Sequence, residues 1–187
     1  MHKQIRYLLL INSFFVFAIN LFGPLYAIFI RQITPEIYHV GGIWSFYIFS
    51  VGVLVLLISK YENRLKYADY FLILGFFFRS MGWLGYIFAE KIFHLYLIQI
   101  FLAIGESLGT PSFNFLYSKN LDKGNFASEW GLNTSISAFI MGAAAIIGSI
   151  IVKIFGFVPL FIFMIILSFI STIIAFKYRK QLGAKTF

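Results

Sequence analysis

The chain has 187 residues, of which 60% are hydrophobic and only 12% charged, and a mean hydropathy of +0.88; one soluble core of that size cannot hide so much apolar surface, so lipid is the expected solvent. The absence of cysteine excludes disulfides, thiolate metal sites and cysteine nucleophiles and leaves the redox compartment open. The net charge of +8 invites a nucleic-acid reading, but the charges cluster between apolar segments, so it reads as topology and contact with anionic lipid headgroups, and no nucleic-acid partner is expected.

Six apolar segments follow one another, at residues 7–30, 41–58, 67–89, 93–116, 131–152 and 158–176. Each is roughly the 17–25 residues that a helix needs to cross a hydrocarbon core. Strands of a membrane barrel would be shorter and would alternate polar with apolar residues, which these segments do not. The first segment follows Lys3 and Arg6 but is longer than the roughly 7–15 apolar residues of a secretory signal, so it reads as a span. The expectation is therefore an all-α integral membrane protein, a single six-helix domain over residues 1–187 that binds membrane lipid. The short connections predict that consecutive helices pack as antiparallel neighbours.

Polar residues inside the spans are the candidate functional groups, because burying them in lipid is costly. The first span carries Asn12, Asn20 and the pair Gly23-Pro24; the third carries Arg79. The fourth carries Gln99, Glu106, Gly109, Pro111 and Asn114, and Asn133 opens the fifth. Asn20 and Glu106 are each followed three positions later by glycine and then closely by proline, which marks the first and fourth spans as related copies. Three spans per copy make the copies inverted, the arrangement of secondary transporters, and the Gly/Pro interruptions point to a midplane binding site at Asn20 and Glu106. Both prolines should loosen or kink their helices.

At about 1.5 Å per residue, Arg79 lies ~18 Å into the third helix and Glu106 ~20 Å into the antiparallel fourth. Both fall in the middle of a core about 30 Å thick, within reach of one another. A static bridge that only fixes packing is the plain alternative to a role in an ion or substrate pathway. The amides taken singly are ordinary interhelical glue; as a set they join the pathway residues. Gly142, Ala143, Ala144, Ala145, Gly148 and Ser149 on the fifth span would admit a close helix contact. Trp44, Trp83 and Trp130 fall near span ends and suit the interface, and the 25 phenylalanines read as bulk. His2, His39 and His94 are too scattered for a metal, and Asn133-Thr-Ser135 is a sequon at the start of a span, where no glycan is expected. The residue sets for intramembrane proteolysis or phospho-alcohol transfer are absent, so neither an enzyme nor a cofactor is expected.

The loop Ser59-Lys-Tyr-Glu62-Asn63-Arg64-Leu-Lys66 resembles the signature between the second and third spans of the major facilitator superfamily, Gly-x-x-x-Asp-Arg-x-Gly-Arg/Lys. Arg64 matches its arginine and Lys66 a nearby cation, Asn63 stands in place of the aspartate, Ser59 replaces the leading glycine, and Glu62 is a substitute negative charge. In the fourth span Phe101 stands where that family has an arginine, and Gly105 matches the glycine after it. The stretch Gly142 to Gly148-Ser149 with Phe155 to Phe161 is similar to the family's fifth-to-sixth junction without its Gly-Pro pair. Leu116 to Gly124 through Ala127 to Gly131 looks like the loop after the fourth span in short bacterial members. The resemblance implies one six-helix half of a transporter, two inverted three-helix repeats in a bacterial plasma membrane, moving an unidentified small molecule by alternating access. Glu106 is then a candidate for proton coupling. A lone half has one cavity wall, so a homodimer or pairing with another six-helix half is implied. The alternative is a non-transporting subunit or remnant that acts by binding a partner.

With the amino terminus inside, eleven cations (Lys3, Arg6, Lys60, Arg64, Lys66, Lys119, Lys123, Lys177, Arg179, Lys180, Lys185) face the cytoplasm and three (Arg31, Lys91, Lys153) face out, which is the positive-inside bias. The expected outcome for Lys185→Cys in the cysteine-free chain is no reaction with an impermeant maleimide in intact cells and full reaction after permeabilisation.

Overall fold

The computed structural model describes residues 3–62, 67–122 and 124–182. The signature-like loop falls only partly within them: Ser59 to Glu62 end a helix, whereas Asn63, Arg64 and Lys66 lie beyond the described residues, as does the side chain of Glu62. Helix α1 (Lys3–Phe22), a 3-10 turn (Gly23–Leu25) and α2 (Tyr26–Ile33) form the first span, followed by α3 (Ile37–Glu62), α4 (Ala68–Ile87), α5 (Ile92–Lys119), α6 (Phe126–Phe155) and α7 (Phe157–Leu182). Six of these units are long and apolar enough to cross a membrane. Hydrocarbon offers no partner to a backbone N–H or C=O, so each span satisfies its polar groups internally as helix. The helices overrun the apolar segments at several ends, as α6 does by starting at Phe126, because the hydrogen-bond ladder continues into the headgroup region where the apolar signal stops.

Short loops do not decide the packing. Helices α4 and α5 lie together, but α3 packs on α5 and barely touches α4, and α6 packs chiefly on α1. The expectation that consecutive helices are neighbours thus fails for α3 with α4 and for α5 with α6. In lipid nothing drives helices together except close-fitting faces and interhelical hydrogen bonds, and the fitting faces lie elsewhere. The pairing is symmetric in the two halves. Helix α1 packs on α6 and α7 just as α5 packs on α3 and α4, while α4 and α7 meet each other. Exchanging the first three spans for the last three preserves these main contacts, which is the inverted repeat expressed in packing; the contact of α6 with α7 has no counterpart between α3 and α4.

Two glycine contacts set the closest approaches. A Cβ on Gly75 of α4 would lie 2.5 Å from the Cα of Gly109 and 2.9 Å from the Gly105 carbonyl oxygen of α5. A Cβ on Gly148 of α6 would strike the backbone carbonyl of Leu21 on α1. Of the small residues on α6, Ala144 and Gly148 are buried, whereas Gly142, Ala143 and Ser149 are exposed, so the contact uses one narrow stripe of the predicted patch.

Buried serines add polar links. The hydroxyls of Ser80 (α4) and Ser168 (α7) lie 2.8 Å apart and both reach the Phe76 carbonyl, while Ser171 reaches the Ile11 carbonyl of α1 at 3.3 Å. On one side of the bundle Phe22, Phe29, Tyr86 and Phe161 pack ring against ring at 5.0–5.7 Å between centroids. On the side that carries both ends of the described chain, Tyr7 stacks on Tyr178 at 3.9 Å and the Tyr117 hydroxyl donates to the Glu129 carbonyl at 2.6 Å. The first is called the far side below, the second the terminal side.

Gly75→Ala and Gly148→Ala should each lower stability by about 1–3 kcal/mol through overpacking, whereas Gly142→Ala, with nothing within 4 Å of the added carbon, should not. Thermal aggregation of the detergent-solubilised variants, followed by size exclusion, makes the comparison.

Candidate functional site

The close approach of α4 to α5 places Arg79 beside Glu106. A Cβ on Gly105 would lie 2.6 Å from Arg79 Cγ, and one on Gly109 would lie 3.3 Å from its Nη1, so these glycines clear the path of the arginine side chain. Arg79 Nη2 forms an ion pair with Glu106 Oε2 and also donates to Thr110 Oγ1 at 2.9 Å. Thr110 in turn donates to Glu106 Oε1 at 2.5 Å, one helical turn along the same face of α5. The Phe15 ring of α1 lies 4.4 Å from the guanidinium carbon, an attractive geometry for a cation over a π face. Tyr47 of α3 lines the same cavity as Glu106. Four helices therefore converge on one pair of charges. Arg79 is 4% exposed and Glu106 25%, so the carboxylate is the charge open to its surroundings.

A cavity lies on either side of this pair. The far-side cavity, about 250 Å³, is lined by Asn20, Gly23, Tyr26, Trp44, Tyr47 and Gln99 among others. The terminal-side cavity, about 310 Å³, is lined by Asn12, Thr110, Phe113, Asn114 and Asn133. Arg79, Glu106 and Ile19 belong to both. The pair thus stands as the partition between two chambers.

The amides picked out in the sequence divide between the chambers. Asn20 lines the far side, with its Nδ2 donating to its own helix at the Val16 carbonyl, 2.8 Å away. Gln99 is buried there, and its Nε2 donates to the hydroxyls of Tyr26 and Tyr86 at 3.1 and 3.0 Å. On the terminal side Asn12 Nδ2 donates to Asn133 Oδ1 at 3.3 Å, joining α1 to α6, and Asn114 is exposed.

The two Gly/Pro elements are not equivalent. Gly23 and Pro24 do break the first span, into α1 and α2. Pro111 lies inside α5, which runs on as one helix; it withdraws one donor, from the Ser107 carbonyl. Gly109 serves close packing. Sequence reasoning missed Tyr26, Tyr47, Thr110 and Phe15. Of these Thr110 was accessible, at i+4 from Glu106 on one helix face; the others reach the site through tertiary packing that no local spacing encodes. Phe15 is more than bulk, and Trp83 is 2% exposed against the far-side cavity rather than at the interface.

No protein-family model matches the sequence, and no curated protein matches it. The fold does match a solved structure, the in meso crystal structure of the POT family transporter PepTSo, with a TM-score of 0.76 at 16% identity over 96% of this chain. The chain spans 38% of the length of that protein. The architecture is that of one half of the major facilitator fold, a six-helix membrane bundle of two inverted three-helix repeats.

Glu106→Leu leaves a buried guanidinium without its carboxylate and should cost about 3 kcal/mol. The double change Arg79→Met with Glu106→Leu should recover most of that loss. Denaturation of the two variants and of Arg79→Met closes the cycle; additive losses would mean that the pair is not coupled.

Proposed function

We propose that this protein is a secondary transporter that moves a small solute by alternating access, with Glu106 as the protonatable coupling group and Arg79 as its charge partner. The observation that carries this reading is the placing of one carboxylate–guanidinium pair between two chambers that lie towards opposite membrane faces. Desolvation drives an isolated carboxylate towards its protonated form, and a nearby guanidinium pulls it back. A movement that separates Glu106 from Arg79 therefore favours proton uptake, and one that rejoins them favours release. A static bridge has no need of a cavity on each side.

The working unit contains two six-helix halves, most simply two copies of this chain. Glu106 is a quarter exposed and Asn114 is exposed, and such groups at membrane depth face protein or a wetted cavity rather than lipid. A two-fold pair would supply the opposite wall. The basic side of the bundle faces the cytoplasm of a bacterial cell, and the protein is not an enzyme.

The test of coupling is reconstitution into vesicles loaded with a pH dye and challenged, under a pH gradient, with cationic, neutral and anionic small solutes. Wild-type protein should couple uptake of at least one class to proton movement. Glu106→Gln, folded by size exclusion, should lose the pH dependence; wild-type pH-dependent flux in that variant would defeat the assignment, and no flux with any solute would favour a partner-binding protein. Crosslinking in native membranes should trap a dimer. Monomer alone, with flux retained in a monomeric preparation, would rule the pairing out.

A further inference from the structure

We propose that the far-side cavity receives a small organic cation, its ammonium group held between the rings of Tyr26, Trp44 and Tyr47 and the carboxylate of Glu106. The proposal deepens the transport reading of the same cavity and rests on it.

The three rings wall one side of the chamber. Trp44 stands 5.6 Å from Tyr26 at 62° between planes and 5.5 Å from Tyr47 at 44°, so the three rings touch one another and form one continuous aromatic wall. Aromatic walls of this kind attract quaternary and primary ammonium groups through the negative faces of their rings. Glu106 supplies the formal charge. Arg79 pairs with it, so an incoming ammonium competes with the guanidinium for the carboxylate, which at 25% exposure against 4% is the more accessible of the two charges.

Two further contacts give the arginine somewhere to stay. If an incoming ammonium takes up the carboxylate, Arg79 keeps the Thr110 hydroxyl and the Phe15 face, which offset part of the cost of losing its partner.

Other ligand classes fit less well. An anion would meet a carboxylate and the negative faces of aromatic rings. A sugar needs many free donors and acceptors, yet Gln99 Nε2 is committed to Tyr26 and Tyr86 and Asn20 Nδ2 to Val16. A zwitterion would need the guanidinium as well, and that group is 4% exposed against 25% for the carboxylate.

Calorimetry on the purified protein in detergent, with choline and its uncharged isostere 3,3-dimethylbutan-1-ol, tests the idea without requiring transport. Choline should bind at least about tenfold more tightly than the isostere, since only the charge differs. Trp44→Leu, at a half-exposed position that folding should tolerate, should weaken choline binding by about tenfold, and Trp44→Phe should restore most of it. Glu106→Gln should weaken it further, and Glu106→Asp should not abolish it. Equal binding of the two ligands, or choline binding unchanged in Trp44→Leu, overturns the proposal. Choline binding without uptake in vesicles would support the cage and remove the transport reading, whereas uptake of another solute with no choline binding would overturn the cage and leave transport standing.

Discussion

The contact on which the site depends is made by glycines on both of its surfaces. Gly75 on α4 meets Gly105 and Gly109 on α5 so closely that neither Gly75 nor Gly105 would admit a Cβ, and lipid, as apolar as any leucine, leaves such steric fit as the means by which these helices associate. Arg79 sits one turn along α4 from Gly75, and its stem runs over Gly105 towards Glu106. Larger residues at those three positions would push the helices apart, and a guanidinium and carboxylate at the centre of the bundle would lose each other.

What the contact secures is a balance of large opposing effects. At a few ångströms and an effective dielectric constant of 20, unit charges attract by about 4 kcal/mol, while removing each from water costs several kcal/mol. The difference is small, so auxiliary contacts decide it. Thr110 bonds both partners, Phe15 covers the guanidinium, and Tyr47 lines the cavity beside the carboxylate. The resulting cluster is bonded firmly enough to separate two chambers, yet the carboxylate is left partly open to both. A fully buried pair would be a rivet, and a fully hydrated one would be too weak to hold the partition.

The spans were legible because hydrophobic length is a one-dimensional property. Glu106 and Arg79 were legible because charge is rare in such segments, and the rise per residue alone brought them to one depth. Pairing between helices was not. Loop length suggested neighbours in sequence, whereas the structure obeys the placement of Gly75, Gly105, Gly109 and Gly148, whose meaning depends on which face each turns to which partner. The aromatic members of the site were hidden by abundance: among 25 phenylalanines and 11 tyrosines, nothing local distinguishes Phe15, Tyr26 or Tyr47. The matched Gly/Pro elements of the first and fourth spans also differ in form, a 3-10 turn at Gly23–Leu25 in one and a continuous helix through Pro111 in the other.

That last difference gives the two repeats unequal backbones. The first span passes through a tighter 3-10 turn at Gly23–Leu25, with the Tyr26 N–H on the Gly23 carbonyl, before it continues as α2. Helix α5 runs as one helix from Ile92 to Lys119 with Pro111 inside it, one donor short at the Ser107 carbonyl. The topology is two-fold, but the walls of the two chambers are not built alike.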